Sequence, residues 1–287
     1  MKNKLSIVAA LVLVLFVSLG VFAQSSTPKA LLWKISGNGL KKPSYLYGTI
    51  HVLCNDDFFI PENLKKVLNQ TDKLVLEANI ADPQLNEKIL KIILTNTPLS
   101  QQLSPADYKE MDSILLATCK VPLKTFENVQ PVVILSLLAQ QSLNCPTPDN
   151  YEKKLIDLVT LQNKNIDWLE ELEDQMNYLI KSYTLEQIVA QIKSTKDLKE
   201  GMKDLVRLYK QQDINGLYNA LTTPDLMDAN TIHWMLEVRN TNWVNKMPGM
   251  MKEKSCVFAV GSGHLAGEIG LIQQLKKKGY TVTPVLN

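Results

Sequence analysis

The sequence predicts an α/β protein with a mixed, partly parallel sheet that is built from both chain ends and carries a large helical insertion. Three patterns predict this fold. Residues of about 30–80 contain short apolar runs separated by turns, residues of about 83–247 are mostly of helical period, and residues of about 255–287 return to a strand, a glycine turn, a helix and a strand. We expect residues 24–287 to form a single domain.

The N-terminal part of the chain is typical of a β-hairpin followed by a helix and a buried strand. Residues 31–35 and 45–49 are rich in apolar and aromatic side chains, and a segment with Gly, Lys and Pro separates them. Pro61 suits the first position of a helix. The apolar run at 73–77 is typical of a buried strand.

The insertion is divided by prolines into helices of roughly 10–20 residues. The run at 166–170 is an exception that is consistent with a strand returning to the sheet. A long helix is predicted over about 226–247. In that helix Arg239 shares a stripe with apolar and aromatic residues, so we expect its guanidinium to point inward.

The C-terminal part has the order of a β-α-β unit. Residues 256–260 are a continuous apolar run, and a glycine-rich turn follows. Lysines and a glycine mark the end of a helix over about 265–278, and residues 280–285 are strand-like. A β-α-β unit requires that at least part of the sheet is parallel.

The chain begins with the pattern of a secretory signal peptide. Lys2 and Lys4 precede an unbroken apolar run at 5–22, and cleavage is expected after Ala23. The protein would then be secreted or periplasmic. The run is also long enough for an uncleaved membrane anchor, which is the alternative.

The charge balance excludes a nucleic-acid-binding protein. The chain has 31 Lys and Arg residues against 29 Asp and Glu residues, and removal of the two N-terminal lysines leaves it neutral. A neutral protein lacks the basic surface that binds phosphates.

Four cysteines are widely spaced, without a C-x-x-C motif, which argues against a structural zinc site. An exported protein with an even number of cysteines can form disulfides. We predict one between Cys119 and Cys145, which flank one helical hairpin. Free buried cysteines are the alternative.

Two of the three histidines follow predicted strands in matching Gly-x-x-His motifs, at His51 and His264. Glu77 ends a third strand and Glu170 ends the possible fourth. Open α/β sheets bind ligands beyond the carboxyl ends of their strands. We therefore expect these side chains to meet at one sheet edge.

Two neutral imidazoles and a carboxylate form a three-ligand metal site with positions left for water and substrate. His51, Glu77 and His264 are the predicted ligands, and manganese, cobalt and zinc all accept this set. A helix N-terminus beside His264 would keep its imidazole neutral. The alternative is that each histidine only caps a turn.

Arg239 needs a carboxylate or a bound anion if it is buried. We expect it to hold Glu77 or Glu170, or to stabilise an oxyanion. The alternative is a structural ion pair between the insertion and the sheet. His233, near the start of the same helix, is expected at the surface or in packing.

These motifs resemble those of the TraB/GumN family, which includes the Tiki proteases. The specific part is the pair of Gly-x-x-His motifs with Glu77 between them. The resemblance covers nearly all of the chain after Ala23. Further matches lie at 32–34, 45–52, 75–77, 169–175, 239–243 and 260–265.

The resemblance implies a fold like that of the erythromycin-esterase and ChaN proteins. In the Tiki branch the motif histidines and the glutamate are implicated in divalent-metal-dependent proteolysis, which carries over to His51, His264 and Glu77. Glu170 and Arg239 match family positions in supporting roles. Other branches are linked to pheromone shutdown or haem binding, so the fold does not determine the activity.

The leading hypothesis is an exported metal-dependent hydrolase, of the peptidase class, that acts on a peptide or protein. Glu170 is the candidate general base, and Arg239 would orient a carboxylate or stabilise charge. The competing hypothesis is a non-catalytic protein that holds a peptide, haem or small ligand in the same cleft. Cys54, close to His51, is either a soft metal ligand or a disulfide partner.

Overall fold

A computed structural model describes residues 28–143 and 145–286, apart from the side chains of residues 195–197. The predicted signal segment and its cleavage point lie outside the described residues. Within the part of the chain that is described, no helix combines the length and apolar character needed to cross a membrane.

The core of the protein is a six-stranded sheet in the order β6-β4-β7-β2-β1-β8, and a two-stranded ladder of β3 and β5 lies apart from it. Strand β1 is antiparallel to β2 and β8, whereas β2, β7, β4 and β6 are parallel to one another. The predicted mixed α/β fold is therefore confirmed. The strands are β1 Leu32–Ser36, β2 Ser44–Thr49, β3 Val52–Leu53, β4 Lys73–Leu76, β5 Asp149–Asn150, β6 Asn165–Trp168, β7 Cys256–Gly261 and β8 Thr281–Pro284.

The parallel half of the sheet contains strands from both chain ends and from the insertion. Strand β7 lies between β2 and β4, and β6, the strand expected at 166–170, pairs with β4. The strands of the predicted β-α-β unit, β7 and β8, are separated by β2 and β1. Because β2, β4, β6 and β7 run in one direction, their carboxyl ends share one sheet edge.

Helices cover the sheet and form most of the insertion. Apolar side chains of the sheet, such as Leu46, Val75 and Phe258, are buried in the main core, and a second apolar cluster forms within the insertion around Met111 and Ile134. The helices are α1 Glu62–Gln70, α2 Leu85–Ile93, α3 Leu99–Gln102, α4 Pro105–Cys119, α5 Pro131–Gln141, α6 Tyr151–Thr160, α7 Leu172–Ser182, α8 Leu185–Lys193, α9 Thr195–Lys210, α10 Ile214–Leu221, α11 Ala229–Ile232, α12 Arg239–Glu253 and α13 Leu271–Lys277.

The long helix predicted over about 226–247 is present but begins and ends later. It consists of α11, a π-helical stretch His233–Val238 and α12, which continues through Pro248 to Glu253. Wide π-helical turns inside an α-helix are often found at functional sites. Here the wide turn directly precedes Arg239.

The prediction of a helix over about 265–278 is wrong for its first half, because the helix begins only at Leu271. A single 3₁₀ turn at Ser262–His264 ends the strand segment, and α13 begins only at Leu271. Gly267 has a left-handed backbone with a φ of +77°, and this conformation breaks a right-handed helix. His264 therefore does not lie at the N-terminus of an α-helix, and the predicted dipole effect on its imidazole does not apply.

The predicted disulfide between Cys119 and Cys145 is wrong. Cys145 is bonded to Cys54, with the two Cα atoms 5.8 Å apart, whereas Cys119 and Cys256 are free. The ladder of β3 and β5 explains this pairing, because it brings the chain after His51 beside the chain before α6. Since the Cys54 sulfur is in a disulfide, it is not a soft metal ligand.

Candidate functional site

The sheet edge collects the side chains that the sequence singled out. His51 follows β2, Glu77 follows β4, Glu170 follows β6, and His264 lies in the 3₁₀ turn after β7. Arg239 reaches them from the start of α12. Four of these five residues are buried, with 3–8% of their surface exposed, whereas the His51 side chain is 58% exposed.

Arg239 lies at the centre of the site and binds both carboxylates. Its Nη2 atom is 2.6 Å from Oε2 of Glu77 and 2.7 Å from Oε1 of Glu170, and its Nε atom donates to Oε1 of Glu170 at 3.0 Å. Its Nη1 atom donates to the carbonyl of Met235 in the π-helical stretch. Arg239 therefore joins the insertion to two strand ends. It was expected to hold Glu77 or Glu170, and it binds both.

Glu77 is held as an anion. Burial alone would raise the pKa of Glu77, but the positive charge of Arg239 and the hydrogen bond from the Gly261 backbone help to outweigh burial and keep the pKa well below its usual range. Its Oε1 atom also accepts the backbone N–H of Gly261 at 2.7 Å, and its Oε2 atom accepts the side-chain amide of Gln175 at 2.8 Å. The carboxylate is therefore fixed in position by donors on three elements.

The pKa of Glu170 is shifted in the opposite direction from that of Glu77. Burial raises the pKa of Glu170, and the ion pair with Arg239 offsets this effect only in part. The Trp243 indole donates to Oε2 of Glu170 at 2.9 Å. Two neighbouring carboxyl groups with pKa values shifted in opposite directions are a common basis for separate acid–base roles.

The His264 imidazole is neutral, because burial and the nearby Arg239 lower its pKa to about 3. Its Nδ1 atom is 2.7 Å from Oδ1 of Asn240, whose amide nitrogen donates to the carbonyl of Ile269. Nδ1 is therefore the protonated nitrogen. The Nε2 lone pair faces Nη1 of Arg239 at 3.2 Å and lies 3.8 Å from Oε1 of Glu77.

His51 is held by Glu152, a residue that no sequence motif indicates. Its Nδ1 atom is 2.9 Å from Oε1 of Glu152, and the same oxygen accepts the Thr49 hydroxyl at 2.6 Å. The Glu152 carboxylate raises the pKa of His51 above its ordinary value. Exposure of the ring to solvent screens this effect.

The three predicted metal ligands converge in front of Gly261. A Cβ atom at this position would lie 3.3 Å from Oε1 of Glu77, 3.3 Å from Nε2 of His51 and 3.6 Å from Cδ2 of His264. The Cδ2 atom of His264 is the carbon next to Nε2, and two imidazole nitrogens with one carboxylate oxygen would be a donor set that suits manganese, cobalt or zinc. In the described part of the chain, no three His, Cys, Asp or Glu side chains are already arranged to hold a metal ion.

Three residues of the site were missed as functional candidates: Gln175, Asn240 and Glu152. Gln175 and Asn240 lie within segments that carry the family resemblance, which is the signal that could have identified them. Glu152 has no motif around it. His233 lies outside the site, half exposed and bonded to Glu237, as expected for a surface residue.

The chain is similar over most of its length to one family of proteins. The model of the TraB/PrgY/gumN family matches residues 31–284. No solved structure matches the chain significantly.

Three curated relatives are each 21% identical to this chain. They are a Metalloprotease TIKI homolog of Amphimedon queenslandica, matched over 91% of this chain and 62% of that protein, Metalloprotease TIKI2 of Xenopus tropicalis, over 88% and 59%, and Metalloprotease TIKI1 of Danio rerio, over 90% and 64%. The chain thus spans about three fifths of the length of these relatives.

Proposed function

This chain belongs to the TraB/PrgY/gumN family, and we propose that it is a metal-dependent hydrolase of the peptidase class. The metalloprotease names of the relatives support the reaction class. The observation that carries the proposal is the convergence of His51, Glu77 and His264 on the space in front of Gly261. A peptide or protein is the proposed substrate, and export by the N-terminal segment is the proposed route to it.

The proposed metal ligands are Nε2 of His51, Oε1 of Glu77 and Nε2 of His264. A bound divalent ion would supply an acidified water and polarise a substrate carbonyl. The protein would contribute two imidazoles whose Nδ1 atoms are hydrogen-bonded to Glu152 and Asn240, and a carboxylate that stays charged. The half-exposed His51 ring has the most freedom to complete the coordination.

Glu170 is the proposed general base and Arg239 the proposed charge stabiliser. Burial raises the pKa of Glu170 above its ordinary value, and a carboxylate with a raised pKa is a stronger proton acceptor. Arg239 places a fixed positive charge beside His264 and both carboxylates, and a preorganised cation stabilises negative charge that develops on a substrate oxygen.

The experiment combines metal analysis with peptide cleavage. The full chain is loaded with manganese, cobalt or zinc, and cleavage of a fluorogenic peptide library is measured before and after chelation. We expect chelator-sensitive cleavage that is lost in His51→Ala and in His264→Ala. His233→Ala is the matched control, because this histidine is exposed and outside the site. Cleavage that survives both site substitutions would rule out the metallohydrolase.

A binding protein is the second candidate function. One observation favours it: Arg239, Glu77 and Glu170 already satisfy one another inside the protein. Such a site can hold a peptide, haem or small ligand without turnover. A haem absorption band in the purified protein, or bound metal without cleavage of any library member, would favour this function over hydrolysis.

A further inference from the structure

The chain segment before α6 is joined to the loop after His51 by several bonds. The disulfide between Cys54 and Cys145 connects them, and the β3–β5 ladder pairs residues on both sides. In addition, the Tyr151 N–H donates to the carbonyl of His51 at 2.9 Å. The position of the His51 backbone is therefore defined relative to the first turn of α6, where Glu152 lies.

Glu152 uses this placement to reach the His51 ring. Its surface is only 6% exposed, and its Oε1 atom accepts from both the Thr49 hydroxyl and Nδ1 of His51. A carboxylate accepts hydrogen bonds and does not donate them, so the neutral His51 ring in this bond carries its hydrogen on Nδ1. The Nε2 lone pair then faces the space in front of Gly261.

We propose that Glu152 is a positioning residue for His51, which selects the Nδ1–H tautomer and directs Nε2 toward the metal ligands Glu77 and His264. This inference rests on the proposed function. Metal-bound histidines in proteins commonly donate their other ring N–H to a carboxylate or carbonyl, and loss of that partner typically weakens metal binding about 10–100-fold.

The two histidines differ in burial, and this difference explains why one is oriented by an amide and the other by a carboxylate. His264 is buried beside Arg239, and the neutral amide of Asn240 is enough to orient it. His51 is largely exposed, so water competes for its Nδ1 hydrogen. A charge-assisted hydrogen bond is shorter and stronger than a neutral one, and a buried carboxylate supplies it at the exposed ring.

The test compares Glu152→Leu and Glu152→Gln with the unmodified full chain. The His51 tautomer is read from ¹⁵N–¹H correlation spectra of metal-free protein, at a pH high enough to deprotonate the ring, and zinc affinity is measured by titration calorimetry. With three histidines in the chain, His51→Ala assigns the signal. Circular dichroism confirms that each variant is folded.

In Glu152→Leu we expect the ring to shift toward the Nε2–H tautomer, which free histidine prefers in water, and zinc binding to weaken about 10–100-fold. Glu152→Gln retains an acceptor oxygen and should recover much of both properties. Glu237→Leu is the matched control, since Glu237 accepts from the exposed His233 at the same 2.9 Å distance. It should change neither the His51 tautomer nor the zinc affinity.

The outcomes separate this inference from the proposed function. An unchanged tautomer and unchanged zinc affinity in a folded Glu152→Leu variant would overturn the positioning role and leave the metal site intact. A shifted tautomer in a protein that binds none of zinc, manganese and cobalt would support the orienting role of Glu152 and reject the metallohydrolase.

Discussion

The Nη2 atom of Arg239 lies 2.6 Å from Oε2 of Glu77, in an ion pair whose two side chains are only 4% and 5% exposed. A buried charge without its partner is costly, because water no longer solvates it. The same guanidinium also binds Glu170. Packing of the insertion against the sheet therefore depends on the ion pairs of Arg239 with both carboxylates.

Replacement of Arg239 with methionine should destabilise the protein by about 3–5 kcal/mol, because two buried carboxylates lose their cation. The free energy of unfolding from urea titrations measures this. Arg207, the other arginine of the chain, is exposed and pairs with Asp204, so Arg207→Met should cost no more than about 1 kcal/mol. Equal unfolding midpoints for the two variants would contradict the central role of Arg239.

Replacement of Gly261 with alanine should weaken zinc binding without unfolding the protein. The added methyl group would stand 3.3 Å from both Glu77 and His51, in the space where their donor atoms converge. The φ of Gly261 is −52°, which alanine adopts without strain. Calorimetric zinc titration measures the effect.

Gly201→Ala is the control for this substitution. Gly201 lies inside α9, where a Cβ atom meets nothing within 4 Å. This variant should keep its zinc affinity and gain about 0.5–1 kcal/mol of stability, since alanine favours the helix. Full zinc affinity in Gly261→Ala would place the metal elsewhere.

Loss of the disulfide should destabilise the protein and loosen the support of His51. The bridge spans 91 residues of sequence, so the double variant Cys54→Ser/Cys145→Ser is expected to lose about 4–5 kcal/mol by the chain-entropy estimate. Urea titration measures this loss, and Cys119→Ser is the control because Cys119 is free. Peptide mapping under non-reducing conditions that links Cys119 to Cys145 would contradict the pairing.

The free energy of unfolding should fall as the pH rises above about 10, because the buried tyrosines Tyr47 and Tyr209 resist ionisation in the folded protein. Tyr47 and Tyr209 share a hydrogen bond, and Tyr209 also donates to the carbonyl of Gly48. Burial raises the pKa of both phenols well above the ordinary value of 10.0, so the unfolded chain ionises first. The contribution of the two tyrosines to stability is therefore complete below about pH 10 and is lost as the pH rises toward their pKa values in the folded protein.

Urea titrations between about pH 8 and pH 11 test this dependence. Tyr47→Phe has no phenol to ionise at that position, so its free energy of unfolding should decline less steeply over the same range. A decline of the same slope in Tyr47→Phe would show that the alkaline loss of stability comes from other groups.

Short-range patterns predicted much of the fold. The hairpin of β1 and β2 and the apolar strands β4 and β7 depend on local side-chain alternation and burial, which can be read over a few residues. The start of α13 could not be predicted in this way, because Gly267 adopts a left-handed conformation where it meets Tyr218 from the insertion. Only the packed structure creates that constraint.

The candidate site divides in the same way. His51, Glu77, Glu170 and His264 each lie within three residues after the end of a strand. Parallel strands bring their ends to one edge, so the sequence could predict that these residues meet. Glu152 belongs to no recognisable motif. It lies beside His51 because the β3–β5 ladder and the disulfide join two segments that are far apart in the chain.

The sequence by itself therefore determined the fold class, the strand ends and the two Gly-x-x-His motifs, because each depends on residues close together in the chain. The tertiary structure alone decided which cysteines pair, that Arg239 binds both carboxylates, and which group orients each imidazole. These outcomes depend on contacts between segments far apart in the chain, and such contacts are selected by burial, charge and hydrogen bonding in the folded protein.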